Sequence, residues 1–264
     1  MKVAITQIGS NMWTGGNTYL KNLAGIIKKN KSKKIDLYLL SSSNSIKKKL
    51  EKKFRLVINL RLTKFEKVIN FFFSNKINEI SHKYKFDLLF ESTEYLGLLC
   101  KTKIITWLPD FQHKYYPENF GFISFWKREF SYWLRIKTRE RILVSSIDAK
   151  KDCIKFYKVN PKKIYVAPFS IDLKPSKYFN KRMYLKKKYN INENYFYVPN
   201  QFWIHKNHNI IFKFIDKIQS KKELFKKIPQ FILTGLSYDN RNYKYSQNLK
   251  KKLKLKKYKK KIKY

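Results

Sequence analysis

Cysteine is close to absent from this chain. Cys100 and Cys153 are its only two, and they stand in no spaced motif, which excludes a disulfide framework and points to a reducing compartment. Long apolar runs are also missing. No stretch approaches the roughly 18 uninterrupted apolar residues of a membrane-spanning helix, and Met1 to Ile5 opens on no segment apolar enough for a signal peptide. The expectation is a cytoplasmic protein whose membrane contact, if it has any, is peripheral. Acidic residues are scarce, 18 against 60 Lys and Arg, so the formal net charge is +42. A field of that sign attracts polyanions, which keeps nucleic acid, anionic membrane and phosphorylated substrates in view. Arginine is scarce too: 52 of the 60 basic residues are lysine and 8 are arginine, whereas phosphate and base readout favours the bidentate guanidinium. Lys, Asn, Ile, Phe and Tyr together make up roughly half the chain, and all have A/T-rich codons. Base composition therefore accounts for much of the lysine, and the charge alone identifies no partner.

What the sequence does contain is an alternation of short apolar strands and longer helical patterns, the signature of parallel α/β sheets. Strands are predicted at Val3–Ile8, Ile35–Leu40, Arg55–Leu60, Asp87–Phe90, Ile104–Leu108, Ile142–Val144 and Ile164–Ala167. Helices are predicted at Thr18–Lys29, where Tyr19, Leu23, Ile26 and Ile27 share a face, and at Phe65–Tyr84. Around Pro175 and Ser176 lysines break the apolar periodicity. The alternation then restarts with a strand at Tyr195–Val198, a helix at Asn209–Ser220, a strand at Gln230–Thr234 and a lysine-rich helix running to Tyr264. The organisation is an N-terminal Rossmann-like domain over 1–173, a linker over 174–190 and a second Rossmann-like domain over 191–264. That second domain offers two strands where a doubly wound sheet needs about five or six, so it is read as incomplete.

Three segments carry chemistry. Gly15-Gly16, between the first strand and its helix, lets backbone amides approach a phosphate at the positive end of a helix; a plain strand-to-helix turn explains the pair equally well. Pro109-Asp110-Phe111-Gln112-His113-Lys114 follows an apolar strand, where open α/β sheets bind ligands. Asp110 and His113 could orient a hydroxyl or steady developing charge there. Asn200-Gln201-Phe202-Trp203-Ile204-His205-Lys206-Asn207-His208 precedes a helix and suits a diphosphate cradle. His205 and His208 invite a zinc reading, but no third ligand has suitable spacing, so no metal site is assigned.

In this order the three segments resemble the group 1 retaining glycosyltransferases, a large GT-B family that uses nucleotide-sugar donors. The Pro109–Glu118 and Asn200–His208 segments look like one bacterial subgroup. Val144-Ser145-Ser146 and Ala167-Pro168-Phe169-Ser170-Ile171-Asp172 also fit. The resemblance implies that Gly15 and Gly16 approach the donor diphosphate and that Lys206 pairs with it. It places His113, with Asp110 beside it, near the transferred sugar and the acceptor. Gln201 stands where the family carries an arginine, and His205 lies in the same donor loop. No cofactor is implied beyond the nucleotide-sugar substrate. The acceptor implied is a growing polysaccharide or a lipid-linked glycan. The family's paired-glutamate segment has no counterpart in these residues, so the chain is expected to be inactive alone.

Phe120 to Arg141 interleaves Phe122, Ile123, Phe125, Trp126, Phe130 and Trp133 with Lys127, Arg128, Arg135, Arg139 and Arg141. That mixture suits an anionic bilayer surface, or a helix packed on the sheet with solvated cations. The competing function is a basic nucleic-acid or anionic-membrane binder without catalysis. No nucleic-acid module is visible, and no specific nucleic-acid partner is assigned.

Overall fold

The computed structural model describes residues 1–7, 14–29, 34–42, 53–170, 182–239 and 242–264. The chain forms two compact units, Met1–Tyr115 with Phe122–Leu173 and Lys174–Tyr264 with Tyr116–Gly121. The elements of the first are β1 (Lys2–Thr6), α1 (Thr14–Lys29), β2 (Asp36–Ser41), β3 (Leu56–Asn59), α2 (Lys64–Phe73), α3 (Asn75–Tyr84), β4 (Leu88–Glu91), β5 (Ile104–Leu108), α4 (Gln112–Tyr115), α5 (Phe122–Thr138), β6 (Arg141–Val144), α6 (Ile147–Tyr157) and β7 (Ile164–Val166). Those of the second are α7 (Arg182–Tyr189), β8 (Tyr195–Val198), α8 (Asn209–Ile218), α9 (Lys222–Lys227), β9 (Gln230–Leu233), α10 (Tyr243–Lys254), α11 (Lys256–Lys259) and β10 (Ile262–Lys263).

The first sheet has seven parallel strands in the order β3-β2-β1-β4-β5-β6-β7. Because side chains alternate along a strand, each strand is apolar on both faces. Val3, Ile5, Leu37, Leu39 and Trp107 pack with Tyr19, Leu20 and Ala24 of α1. Ala4, Tyr38, Leu40, Leu89 and Ile104 cluster with Ile77 and Ile80 of α3. Each such side chain, once fully buried, contributes about 2 kcal/mol.

A carboxylate and two guanidinium groups are buried together in this unit. Glu91, at the end of β4, is fully buried. Its Oε1 accepts the Leu96 N–H at 2.8 Å and lies 2.8 Å from Nη2 of Arg139, while Arg135 Nε lies 3.9 Å from Oε2. Burial by itself would raise the carboxyl pKa, but the Arg135 charge and the Arg139 bonds outweigh it and hold Glu91 below its usual value.

The second sheet is also parallel, in the order β10-β9-β8. Ile211, Phe212 and Ile215 of α8 meet Phe202, Leu233, Leu249, Tyr258 and Ile262 in its core. β8 forms an edge among the described residues. Its Tyr195, Phe196 and Tyr197 are 39%, 54% and 58% exposed, whereas its counterpart β1 is paired on both sides.

The α/β class and its two Rossmann-like units agree with the sequence expectation, and several details differ. The helix expected at 65–84 breaks at Ser74, which adopts a left-handed φ of 54°. Gly97 packs tightly against that break: a Cβ there would lie 2.2 Å from the Asn70 carbonyl and the Ser74 hydroxyl. The expected lysine-rich helix ends early, and Ile262–Lys263 instead pairs beside Phe231 and Ile232 as a third strand. Part of the expected linker is helical in α7.

Glu91→Ala should leave Arg139 buried without its partner and destabilise the unit by about 3–5 kcal/mol in urea unfolding. Since the folded carboxyl pKa is depressed, its stabilisation is fully present above the ordinary carboxylate pKa and is lost as pH falls through the lower folded value. The variant should therefore show a shallower loss of stability in acid.

Candidate functional site

In the first unit sequence order reverses between β1 and β4, which are neighbours. Beyond the carboxyl ends of strands at such a switch point, open α/β sheets hold their ligands. The Ser92 amide donates to Thr6 Oγ1 at 2.8 Å, and the Ser92 hydroxyl donates to the Thr6 carbonyl at 2.7 Å. These bonds tie the ends of β1 and β4 together. Arg135 of α5 reaches the same place and donates to the carbonyls of Ser92 (2.8 Å) and Thr93.

Gly15 and Gly16 do not form the expected turn. α1 begins at Thr14, so both lie in its first turn, Gly15 exposed and Gly16 buried. The first amides of a helix have no intrahelical acceptor, and they carry its positive dipole end. The preceding residues of that motif, 8–13, lie outside the described ones.

Asp110 and His113 part company. Asp110 is half exposed; its Oδ1 accepts Arg128 Nη2 at 2.9 Å and the Gln112 amide at 3.1 Å. His113 sits on α4 and is fully buried, its ring edge-on to Phe125 and Tyr132. Its Nε2 lies 2.7 Å from Glu129 Oε1, to which the Tyr157 hydroxyl also donates at 2.5 Å. Burial, and next the Arg128 charge, push the imidazole pKa down despite the carboxylate. We therefore take the His113–Glu129 contact as a neutral N–H donating to a carboxylate whose cationic partner is Lys114. The sequence reading put His113 against sugar and acceptor; the fold puts its ring inside a hydrogen-bonded cluster.

In the second unit, β8 leads through Gln201 into a single helical turn, Ile204–Lys206, and then α8. Gln201 is half-buried, and its carbonyl accepts the Trp203 amide at 2.7 Å. His205 lies beside Trp203, ring centres 5.6 Å apart. Lys206 is exposed just before α8, with Asn207 left-handed at φ 47° turning the chain into that helix. His208 is buried against Phe202, ring centres 4.9 Å apart. Burial, with the nearby Lys206 charge, lowers its pKa. Among the described residues no group of three His, Cys, Asp or Glu side chains could hold a metal ion.

The described geometry has counterparts in solved structures. A glycosyltransferase from Rickettsia africae superposes with a TM-score of 0.65 at 15% identity, covering 99% of this chain and 67% of its own. The lipopolysaccharide outer core galactosyltransferase WaaB gives 0.57 at 12% identity, covering 100% and 67%. The UDP-GlcNAc 2-epimerase from Neisseria meningitidis, solved with UDP-GlcNAc, gives 0.55 at 10% identity, covering 94% and 69%. The chain has a GT-B-type fold. It spans about two thirds of the length of these neighbours. No family model matches the sequence, and no curated protein matches it.

Two residues that shape the β8–α8 loop were given no structural role by the sequence reading. Gly235, after β9, has φ 135°, and a Cβ there would lie 2.6 Å from the Asn200 carbonyl. Only glycine lets the β9 loop press against the β8 loop, an approach helped by the bond from the Phe202 amide to the Leu236 carbonyl at 2.9 Å. A glycine directly after a predicted strand was the available signal. His208 was weighed as a metal ligand and as part of the diphosphate-cradle segment, and its ring is buried against Phe202.

Gly235→Ala should lower the unfolding temperature by several degrees, since both φ and space are wrong for alanine. The two neutral imidazoles have a pH consequence. Their folded pKa values lie below that of an unfolded histidine, so stability should decline as pH falls from about 6.5. Joint His113→Gln and His208→Gln substitution should flatten that decline in urea midpoints compared across the range.

Proposed function

We propose that this chain belongs to an enzyme that moves a sugar from a nucleotide-sugar donor to a hydroxyl of a polysaccharide or lipid-linked glycan. The observation carrying it is the β8–α8 loop: an exposed Lys206 beside the start of a ten-residue helix, braced by Gly235 and the buried His208. A cation at the positive end of a helix suits a diphosphate, whose negative charge grows when the sugar departs. The GT-B-type fold supports the reading, and the neighbours include a galactosyltransferase and an epimerase solved with UDP-GlcNAc.

In this reading the donor diphosphate is held at Lys206 and the positive end of α8, with Gln201 and His205 lining the same loop. Gln201, where the resembling family carries arginine, offers an amide in place of a second cation, so grip on the diphosphate rests mainly on Lys206. Within the first unit, Gly15 and Gly16 offer the positive end of α1 to a phosphate, and Asp110 orients the acceptor hydroxyl. His113 is a positioning residue: its neutral ring and Glu129 fix α4 and thereby the Asp110 loop. No metal or cofactor is needed for leaving-group departure when fixed positive groups face the diphosphate. The reading assigns these residues donor-diphosphate binding.

Isothermal titration with UDP and UDP-sugars tests this. Lys206→Ala should weaken binding about tenfold, the worth of one charge-assisted phosphate contact, and leave the unfolding temperature unchanged. Equal affinity in the variant, or no nucleotide binding by the parent chain, would sink the assignment.

A further inference from the structure

Two helices of the first unit carry large apolar side chains on their outward faces. In α5, Phe122, Ile123, Trp126, Phe130 and Trp133 are 80%, 68%, 56%, 54% and 49% exposed. At 3.6 residues per turn these five fall within an arc of about 100°. The inward side of the same helix buries Tyr132, Leu134 and Ile136 and also takes the helix's charged groups: Arg128 meets Asp110, Glu129 meets Lys114, and Arg135 is buried against the Ser92 carbonyl. In α2, Phe65, Val68 and Phe72 share one stripe and are 74%, 58% and 49% exposed, while Asn70 on the opposite side is buried. Tyr95 joins the ends of the two helices: its ring lies 5.4 Å from that of Phe71, its hydroxyl 3.3 Å from Thr138 Oγ1. Leu99, 61% exposed, is hydrogen-bonded to the Phe72 carbonyl beside them.

We propose that the outward faces of α2 and α5 form a docking surface for an anionic lipid bilayer. Exposed aromatic and aliphatic side chains of this size are costly in water and suit the acyl boundary, where tryptophan is favoured. Charge complementarity selects the bilayer over a neutral partner. Lys64, Lys67, Lys127 and Lys137 flank the two stripes and are exposed, and the chain carries +42. The only carboxylate of α5, Glu129, is turned inward onto Lys114. Among the described residues no helix is long and apolar enough to cross a membrane, so the contact is a surface one. It stands independently of the transfer reading, because it requires no nucleotide sugar.

Co-sedimentation with phosphatidylglycerol-containing vesicles separates the outcomes. The lysine field alone attracts any anionic surface, so the comparison is made at about 1 M salt, where charge attraction is screened beyond about 3 Å. There the parent chain should stay bound, and Phe122→Ser/Trp126→Ser/Phe130→Ser/Trp133→Ser should bind at least about tenfold more weakly. The four side chains are exposed, so an unchanged unfolding temperature certifies the variant's fold. Equal binding by the two proteins at high salt would overturn the proposal. So would a parent chain that is dimeric without lipid and becomes monomeric in the variant, which would assign the face to a second copy.

Discussion

Much of the first unit depends on one buried carboxylate. Glu91 ends β4, and its charge draws Arg135 and Arg139, at and just beyond the end of α5, into the interior. Once those guanidiniums face inward, the rotation of α5 about its axis is fixed. Arg128 then meets Asp110, and Glu129 meets His113, Lys114 and Tyr157. A buried ion pair gives little net stability against a well-packed apolar substitute. Its effect here is to choose an orientation, and that orientation sends the aromatic side of α5 outward.

The same network ties the sheet's ligand-binding end to its supports. Arg135 donates to the Ser92 and Thr93 carbonyls, and Ser92 bonds to Thr6 across the switch between β4 and β1. Trp107 donates from Nε1 to Ser145 at 3.0 Å and stacks on Tyr19 with ring centres 4.4 Å apart. Burial raises the Tyr19 hydroxyl to about 12, so it stays protonated beside these strand ends. The strand-end loops thus stand on rigid β and α elements, as a site that must hold a small polar ligand requires.

The second unit works with less. Three strands and α8 make its core, and close packing of the β8 and β9 loops at Gly235 sets the position of the loop that carries Lys206. β8, equivalent in order to a strand flanked on both sides in the first unit, presents aromatic residues at an open edge among the described residues. Phe196 finds partial cover by stacking on Phe231 of the adjacent strand, ring centres 5.3 Å apart.

Near-continuous apolar runs such as Val3 to Ile5 and Ile104 to Leu108, alternating with helical patterns, make the parallel sheet legible from the sequence alone, because strands buried on both faces read that way. The loops after β5 and β8 were likewise legible as strand-end loops, where an α/β sheet leaves backbone and polar side chains exposed. What the sequence could not decide is direction. The apolar and cationic residues of α5 are equally consistent with either rotation of that helix, and only the buried Glu91, distant in sequence, settles which side faces out. The same holds for His113, whose neighbours Phe125, Tyr132 and Tyr157 come from α5 and α6. A side chain's exposure is set by partners far along the chain, and a local pattern does not contain them.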